Sequence, residues 1–442
     1  MYVRASSSAR LLRLVRGPSR PASGTRKSDI VSCAAVRTGR SRTLRKFLER
    51  SDLLSPPSPK IIRRRLGASA LVATVLLGAV FILQLEPVDG SQLAVRQLTL
   101  GESPSCPSCK ITIVDEAVLG EGDGPGMLLS LAFVIARSDE RYYVAEYDVD
   151  RAPIKVFDAR GEFEGALGTV GQGPGEYLAT NAIRIAPSGN ILVFDGGQGR
   201  FVVFGPDHVV RRTARLPMGP SFGPLVFGED RAIFAVRGRT PEVVGYPFHL
   251  IRLGQEDGEV VRSFGSQGEQ LPGDDYRRRV GPAGDAEAFW AAYRPRVAHR
   301  IERWTISGAL TKTLVRSEGN WVQELAEASA REYGDALAHA RPGVLAVHEG
   351  QEGDLWVFTQ VPDERLPSLA ERNDTGRYSV RGTYEMQFDT VVEVFDVESG
   401  ALLARTRSNY LITPIDASHA AHNIEGPDGD LQVAVVALSL ER

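Results

Sequence analysis

One short pattern recurs through most of the chain and limits its fold more than any other feature. An apolar, alternating strand followed by a polar turn appears as RYYVAEYD (141–148), NILVFDGG (190–197), RAIFAVRG (231–238), AFWAAYRP (288–295), DLWVFTQV (354–361) and DLQVAVVA (430–437). A second strand follows most copies: IKVFDARG (154–161), FVVFGPDH (201–208), HLIRLGQEDG (249–258), RIERWTISG (300–308) and VVEVFDVESG (391–400). Aligned on Phe157, Phe204, Leu253 and Trp304, the copies are 47, 49 and 51 residues apart, and Phe395 follows after 91, so that interval holds additional chain. Leu119-Gly120, Leu167-Gly168 and Phe264-Gly265 close copies of the pattern. The first two lead into GDGPG (122–126) and GQGPGEY (171–177), 49 residues apart.

A period of two along each strand, β-branched and aromatic residues, and about four strands per repeat describe the blades of a propeller. The 45 glycines of the chain fit a turn-rich, all-β body. Six copies predict a six-bladed β-propeller over 86–442. The sixth copy ends at Arg442 without its outer strands, and an unpaired sheet edge exposes a row of backbone donors and acceptors. LAVRQLTL (93–100) and KITIVDEAVL (110–119) are therefore expected to close the ring from the N-terminal side. Two insertions interrupt the repeat. NWVQELAEASAREYGDALAHA (320–340) has helical composition, and 362–388 is polar and extends a loop of blade five.

The residues before the repeats have another character. Leu66 to Leu85 contain no charge, enough for about 30 Å of helix. Arg63, Arg64 and Arg65 precede this run, while Glu86 and Asp89 follow it. The positive-inside rule then puts 1–65 in the cytoplasm and 86–442 outside, as a single-pass signal anchor in a bacterial cell membrane. A cleaved signal peptide is the rival, but the apolar run is longer than a usual signal core and no A-x-A site follows it. Residues 1–65 carry 17 Lys/Arg against 3 Asp/Glu. They bury too little to fold alone and are expected to be a disordered basic head. The body keeps 35 basic and 52 acidic residues, a formal charge of about −17. Such a body repels phosphate backbones, so nucleic acid is excluded as its partner.

The run GQGPGEY (171–177), followed by PSGNILVFDGGQGRFVVFGPD (187–207), resembles the six-bladed, NHL-like propellers of bacterial exported proteins. Those carry a G-x-GPGEF loop before each pair of strands. The resemblance is closest over 118–265 and weaker over 288–316 and 343–442. Loops of this type define a family but no chemistry. Two functions are consistent with it. One is a binding or interaction domain for an unidentified protein or small polar ligand. The other is a metal-dependent hydrolase or lyase of the gluconolactonase-like or amidating-lyase-like type, in which carboxylate, Asn or His side chains lining the channel hold the metal.

Equivalent positions at the strand ends carry Glu146, Asp195, Arg237, Tyr293 and Thr359, joined by Glu176 from the GPGEY loop. Carboxylates and an arginine at a channel mouth suit a polar ligand or a divalent cation. The bland alternative is that Glu146 and Asp195 accept turn hydrogen bonds. Arg237, Tyr293 and Thr359 dilute any metal-binding ring, so no metal and no cofactor is assigned and the binding domain is the expectation. His419 and His422 form H-x-x-H without the glutamate or the spacing of a zinc helix, and are expected in a solvated loop. Cys106 and Cys109 form a CxxC that can be a redox pair, half a zinc site or a local disulfide. With no second CxxC and no βαβ context, an exported chain favours the disulfide. A reporter active only outside the cytoplasm, fused after Arg442, is expected to be active; activity there from a reporter that works only in the cytoplasm would reverse the topology.

Overall fold

The computed structural model describes residues 95–442 apart from 139, 147–151, 218–222, 236–245, 266–277, 293–299, 318–319, 326, 328–341, 351, 373–377 and 381–386. The expected basic head and membrane segment lie outside the described residues. Among the described residues no helix is long and apolar enough to cross a membrane.

Each repeat folds into one antiparallel four-stranded sheet. Blade one is Ala132–Arg137, Arg141–Glu146, Ile154–Asp158 and Phe163–Leu167, and blade two is Thr180–Ile185, Ile191–Asp195, Arg200–Phe204 and Val210–Arg215. Blade three runs from Leu225–Phe227 to Gly258–Phe264, blade four from Arg279–Pro282 to Leu310–Val315, and blade five from Gly343–Glu349 to Leu402–Ser408. Residues Phe157, Phe204, Trp304 and Phe395, which mark the repeat, lie where the pairing of third and fourth strands slips by one residue. Such a bulge bends the outer strand and increases its twist. Antiparallel order puts the loops between second and third strands, and those between blades, on one face of the ring. The tight turns lie on the other.

The sixth blade closes the ring, by a route that partly differs from expectation. Three strands come from the C-terminus: Thr413–Pro414, His419–Glu425 and Leu431–Glu441. Only Lys110–Leu119 comes from the N-terminal side, pairing antiparallel with Leu431–Glu441 from Lys110↔Glu441 to Leu119↔Val433. The 430–437 copy is thus third in its sheet, where the other copies are second. The polar run SHAAHNIE hides the strand that precedes it.

The other N-terminal strand, Arg96–Thr99, does not join blade six. It pairs in parallel with Leu310–Val315 as a fifth strand of blade four. The reason is in the sequence. Blade four ends at Val315-Arg316 without the Leu-Gly that closes blades one and six. The pairing Thr99↔Val315 delivers Leu100-Gly101 to that place. Leu100 is buried with Trp290, Leu314, Phe395 and Leu402. Between its two strands the segment is held to the rim of blade five, where the Gly101 N–H donates to the Gly400 carbonyl (2.9 Å) and the Ser105 N–H to that of Leu402 (2.8 Å). Residues 96–119 therefore lie across the outer edges of three successive blades.

The core sits between blades. Six apolar clusters each join two neighbouring sheets, from blades one and two (Val156, Tyr177, Ile183, Val202) round to blades six and one (Leu119, Val433, Val435, Tyr142, Phe157). An open arc of six blades has five such seams; the sixth makes a ring. First strands pack so closely that a Cβ on Gly281 of blade four would meet the Val347 carbonyl of blade five at 1.5 Å. Leu100→Ala is expected to lower unfolding free energy by about 2–4 kcal/mol, as for a buried leucine, measured by chemical denaturation. A loss under about 0.5 kcal/mol would mean that blades four and five pack without the N-terminal segment.

Candidate functional site

The face that carries the blade-to-blade loops is built by buried charges. Asp195 ends the second strand of blade two opposite Thr180, with no solvent exposure. Its Oδ1 accepts backbone N–H bonds from Ala179 (3.2 Å), Gly197 (3.1 Å) and Gln198 (3.3 Å). Its Oδ2 accepts from Gln198 Nε2 (2.8 Å) and Arg200 Nε (3.3 Å). Arg200 in turn donates to the carbonyls of Gln172 (3.2 Å), Gly173 (3.2 Å) and Glu176 (2.6 Å). One carboxylate and one guanidinium thereby fix the whole GPGEY loop. Glu176 braces the same loop from within, accepting the Gly173 N–H at 2.7 Å.

Tyr177 turns back into blade one. Its hydroxyl donates to the Leu167 carbonyl (2.5 Å) and accepts the Ile154 N–H (2.8 Å), and burial pushes its pKa well up. The aromatic at the end of the loop is thus a bolt across a blade seam.

Blade one repeats the device with different residues. Glu146 faces Ala132 at the position Asp195 holds against Thr180. It accepts the N–H groups of Leu129 and Ser130 (3.0 Å to the latter) and is ion-paired to Lys155, both side chains being buried. Thr359 occupies the same place opposite Val344 in blade five; it is fully buried, and its hydroxyl has no hydrogen-bond partner among the described residues. Arg237 and Tyr293 lie outside the described residues. The structure brings Glu176 and Asp195 together on one loop through Arg200, and leaves Glu146 and Thr359 each in its own blade. No group of three or more His, Cys, Asp or Glu side chains is arranged for a metal ion among the described residues.

These braces leave two leucines in solvent. Leu128 and Tyr177 are buried at equivalent loop positions, and the next residues, Leu129 and Leu178, are 63% and 43% exposed. Glu146 holds the N–H of Leu129 itself, and Asp195 holds that of Ala179, the residue after Leu178. The repeat alignment places these leucines in register, but the sequence has no pattern that separates an exposed leucine from a buried one.

The tight-turn face holds a cleft of about 520 Å³ between blades four and five, lined by Ala283, Gly284, Asp285, Arg303, Glu349 and the glycines at 350 and 353. Arg303 bonds Asp285 at 2.6 Å, and Glu349 accepts the Trp290 indole N–H at 2.7 Å. The cleft's charges are largely occupied by one another.

The histidines lie in a strand, His419–Glu425, not in a loop. His419 stands between Asp416 (2.8 Å from Nδ1) and Glu116 (3.2 Å from Nε2), which ties blade six to its N-terminal strand. His422 stacks on Tyr410, with ring centroids 3.7 Å apart. Cys106 and Cys109 are joined by a disulfide with Cα atoms 5.3 Å apart. It lies between the segment's attachments to blades five and six.

His348, on the first strand of blade five, is buried, bonded to the Ala417 carbonyl of blade six (3.0 Å), and lowered by burial to a pKa of about 4. The unfolded chain takes up this proton near pH 6.5, the folded chain only near 4. The stability His348 contributes is complete above pH 6.5 and lost as pH falls towards 4, about 3 kcal/mol in all. His348→Gln is expected to flatten this part of the stability–pH curve, followed by urea unfolding at pH 7, 5.5 and 4.5. An unchanged slope would assign the acid sensitivity to other groups.

Residues 128–230 match a family described as 6-bladed beta-propeller. No curated protein sequence matches the chain. Solved structures of similar shape include a Bacteroides fragilis protein described as exported (11% identity, 79% of this chain and 100% of that one, TM-score 0.48). Others are virginiamycin B lyase from Staphylococcus aureus (12%, 75% and 100%, TM-score 0.39) and a gluconolactonase from Xanthomonas campestris (12%, 76% and 96%, TM-score 0.39). Likenesses at this level carry nothing about activity. The family match falls on blades one and two and the first strand of blade three, and it agrees with the six sheets of the ring: the chain is a six-bladed β-propeller.

Proposed function

We propose that the chain is an extracytoplasmic, membrane-anchored binding domain that contacts a protein partner through its blade-to-blade loop face. The observation that carries this reading is the pair Leu129 and Leu178. Two successive blades hold a large apolar side chain in water at the same loop position, on loops fixed by buried charges. Holding a loop rigid reduces the entropy lost on binding, and exposed leucines in register offer apolar contact. The polar residues expected to meet a ligand serve in this reading as the loops' internal supports. The anchor is residues 66–85, whose apolar run and flanking charges put the propeller on the outer side.

The test is in-cell photo-crosslinking from the loop face in the native host. Replacing both leucines, Leu129→Asp and Leu178→Asp, is expected to remove the crosslinked species while the melting temperature stays within a degree or two, because both side chains are exposed. Identical crosslinks from wild type and the double variant would overturn the assignment of this face.

A further inference from the structure

A second feature lies away from the loop face and independent of it. Arg184 is on Thr180–Ile185, the first strand of blade two. First strands of neighbouring blades lie against one another, whereas the N-terminal segment lies at the outer edge, beside the fourth strand of blade four and as the fourth strand of blade six. Arg184 therefore stands on the inner edge of the ring, half-buried.

Its electrostatic state differs from that of the buried arginines. Arg200 has Asp195, Arg278 has Glu302, and Arg316 has Glu393. Among the described residues Arg184 makes one hydrogen bond, from Nη1 to the carbonyl of the preceding residue, Ile183 (2.8 Å). Among the described residues no carboxylate pairs with it. Burial lowers its pKa, and no acidic group acts in the other direction. Gly223, which leads into blade three at φ +56°, is its neighbour: a Cβ there would lie in ordinary contact, 3.6 Å from Arg184 Nη2. A half-buried cation without a counter-ion gives up part of its hydration for no ion pair in return. A guanidinium presents paired N–H donors that match a carboxylate or phosphate.

We propose that Arg184 is the anion-binding residue of a site on the inner edge of the propeller, taking a small ligand through a carboxylate or phosphate group. Arg184 is unpaired because its partner is the ligand.

The experiment is thermal unfolding of the full chain as wild type, Arg184→Met and Arg184→Lys, in chloride, inorganic phosphate and citrate at matched ionic strength. In chloride, Arg184→Met is expected to melt at or above wild type, because it removes an uncompensated charge. Wild type is expected to gain about 2 °C or more in phosphate or citrate over chloride, Arg184→Lys part of this, and Arg184→Met none beyond the general salt effect. A gain confined to citrate assigns a carboxylate ligand, and one confined to phosphate a phosphate ligand. The proposal is overturned if Arg184→Met melts below wild type in chloride, if it gains as much as wild type in the same anions, or if wild type gains in neither. None of these outcomes bears on the leucine face, which has its own test.

Discussion

Everything in this molecule depends on the last seam. A propeller blade is a sheet with two apolar faces, and each face is satisfied only by the next blade. Five seams would leave two such faces in water. The sixth is made by pairing Lys110–Leu119 with Leu431–Glu441, segments more than 300 residues apart. Leu119, Val433 and Val435 then pack against Tyr142 and Phe157 of blade one. Loop-closure entropy precedes any reward from such distant contacts, so the seam that completes the ring is also costly to form. The N-terminal segment does more than close it. Leu100, Gly101 and Ser105 bind blades four and five on the way, so three blades share one outer strap.

A closed ring changes what charged residues can do. Glu146 and Asp195 look, in the sequence, like ligands at a channel mouth. Their neighbours in space show why a carboxylate is useful there without one. Each loop between blades leaves several N–H groups with no strand to pair with, and a buried donor left unpaired costs about 1–3 kcal/mol. One carboxylate accepts two or three of them at once, and Lys155 or Arg200 neutralises it. The bland alternative for these two positions, turn hydrogen bonding, describes these bonds.

The repeat was legible because its signals are local. Alternation, the Leu-Gly ends and the GPG loops each depend on a few adjacent residues whose backbone needs are fixed, as at Gly120 and Gly168, both at positive φ. The position of Arg96–Thr99 was not legible, because its partner strand is more than 200 residues away and the pairing is decided by which core lacks a leucine. His419 and His422 were misplaced for a related reason. A strand whose faces carry Ala420 and Ala421 among polar residues has little apolar contrast, and only burial against blade five and blade one makes it a strand. Arg184 carried no signal at all: a sequence shows that an arginine is present, never that it lacks a partner. His208 shows the limit in the other direction. It stands at φ 62° where comparable turns have Gly161, Gly308 and Gly429 at positive φ, and its Nε2 lies 3.1 Å from the Tyr143 hydroxyl across the seam. The sequence shows the missing glycine; the contact that accompanies it is visible only in three dimensions.

The insertion after blade four is tied to the ring where it begins. Asn320 caps the helical turn that begins at 321, accepting the N–H groups of Val322 and Gln323 at 3.1 Å each. The first helical residue, Trp321, is then placed over two guanidiniums, 5.5 Å from Arg316 and 5.2 Å from Arg405. Its indole N–H donates to Glu393, the buried carboxylate that both arginines pair with. Arg316 also meets Glu102 of the N-terminal strap at 3.5 Å. Two arginines and two glutamates balance, so the cluster has no net charge despite its burial. It joins the fourth strand of blade four, the outer strands of blade five, the strap and the root of the insertion in one place. A cation–π contact is worth most where water is excluded, and this one sits on side chains with no solvent exposure at Arg316 and Glu393. The insertion thus begins from a fixed point on the same face as the braced loops.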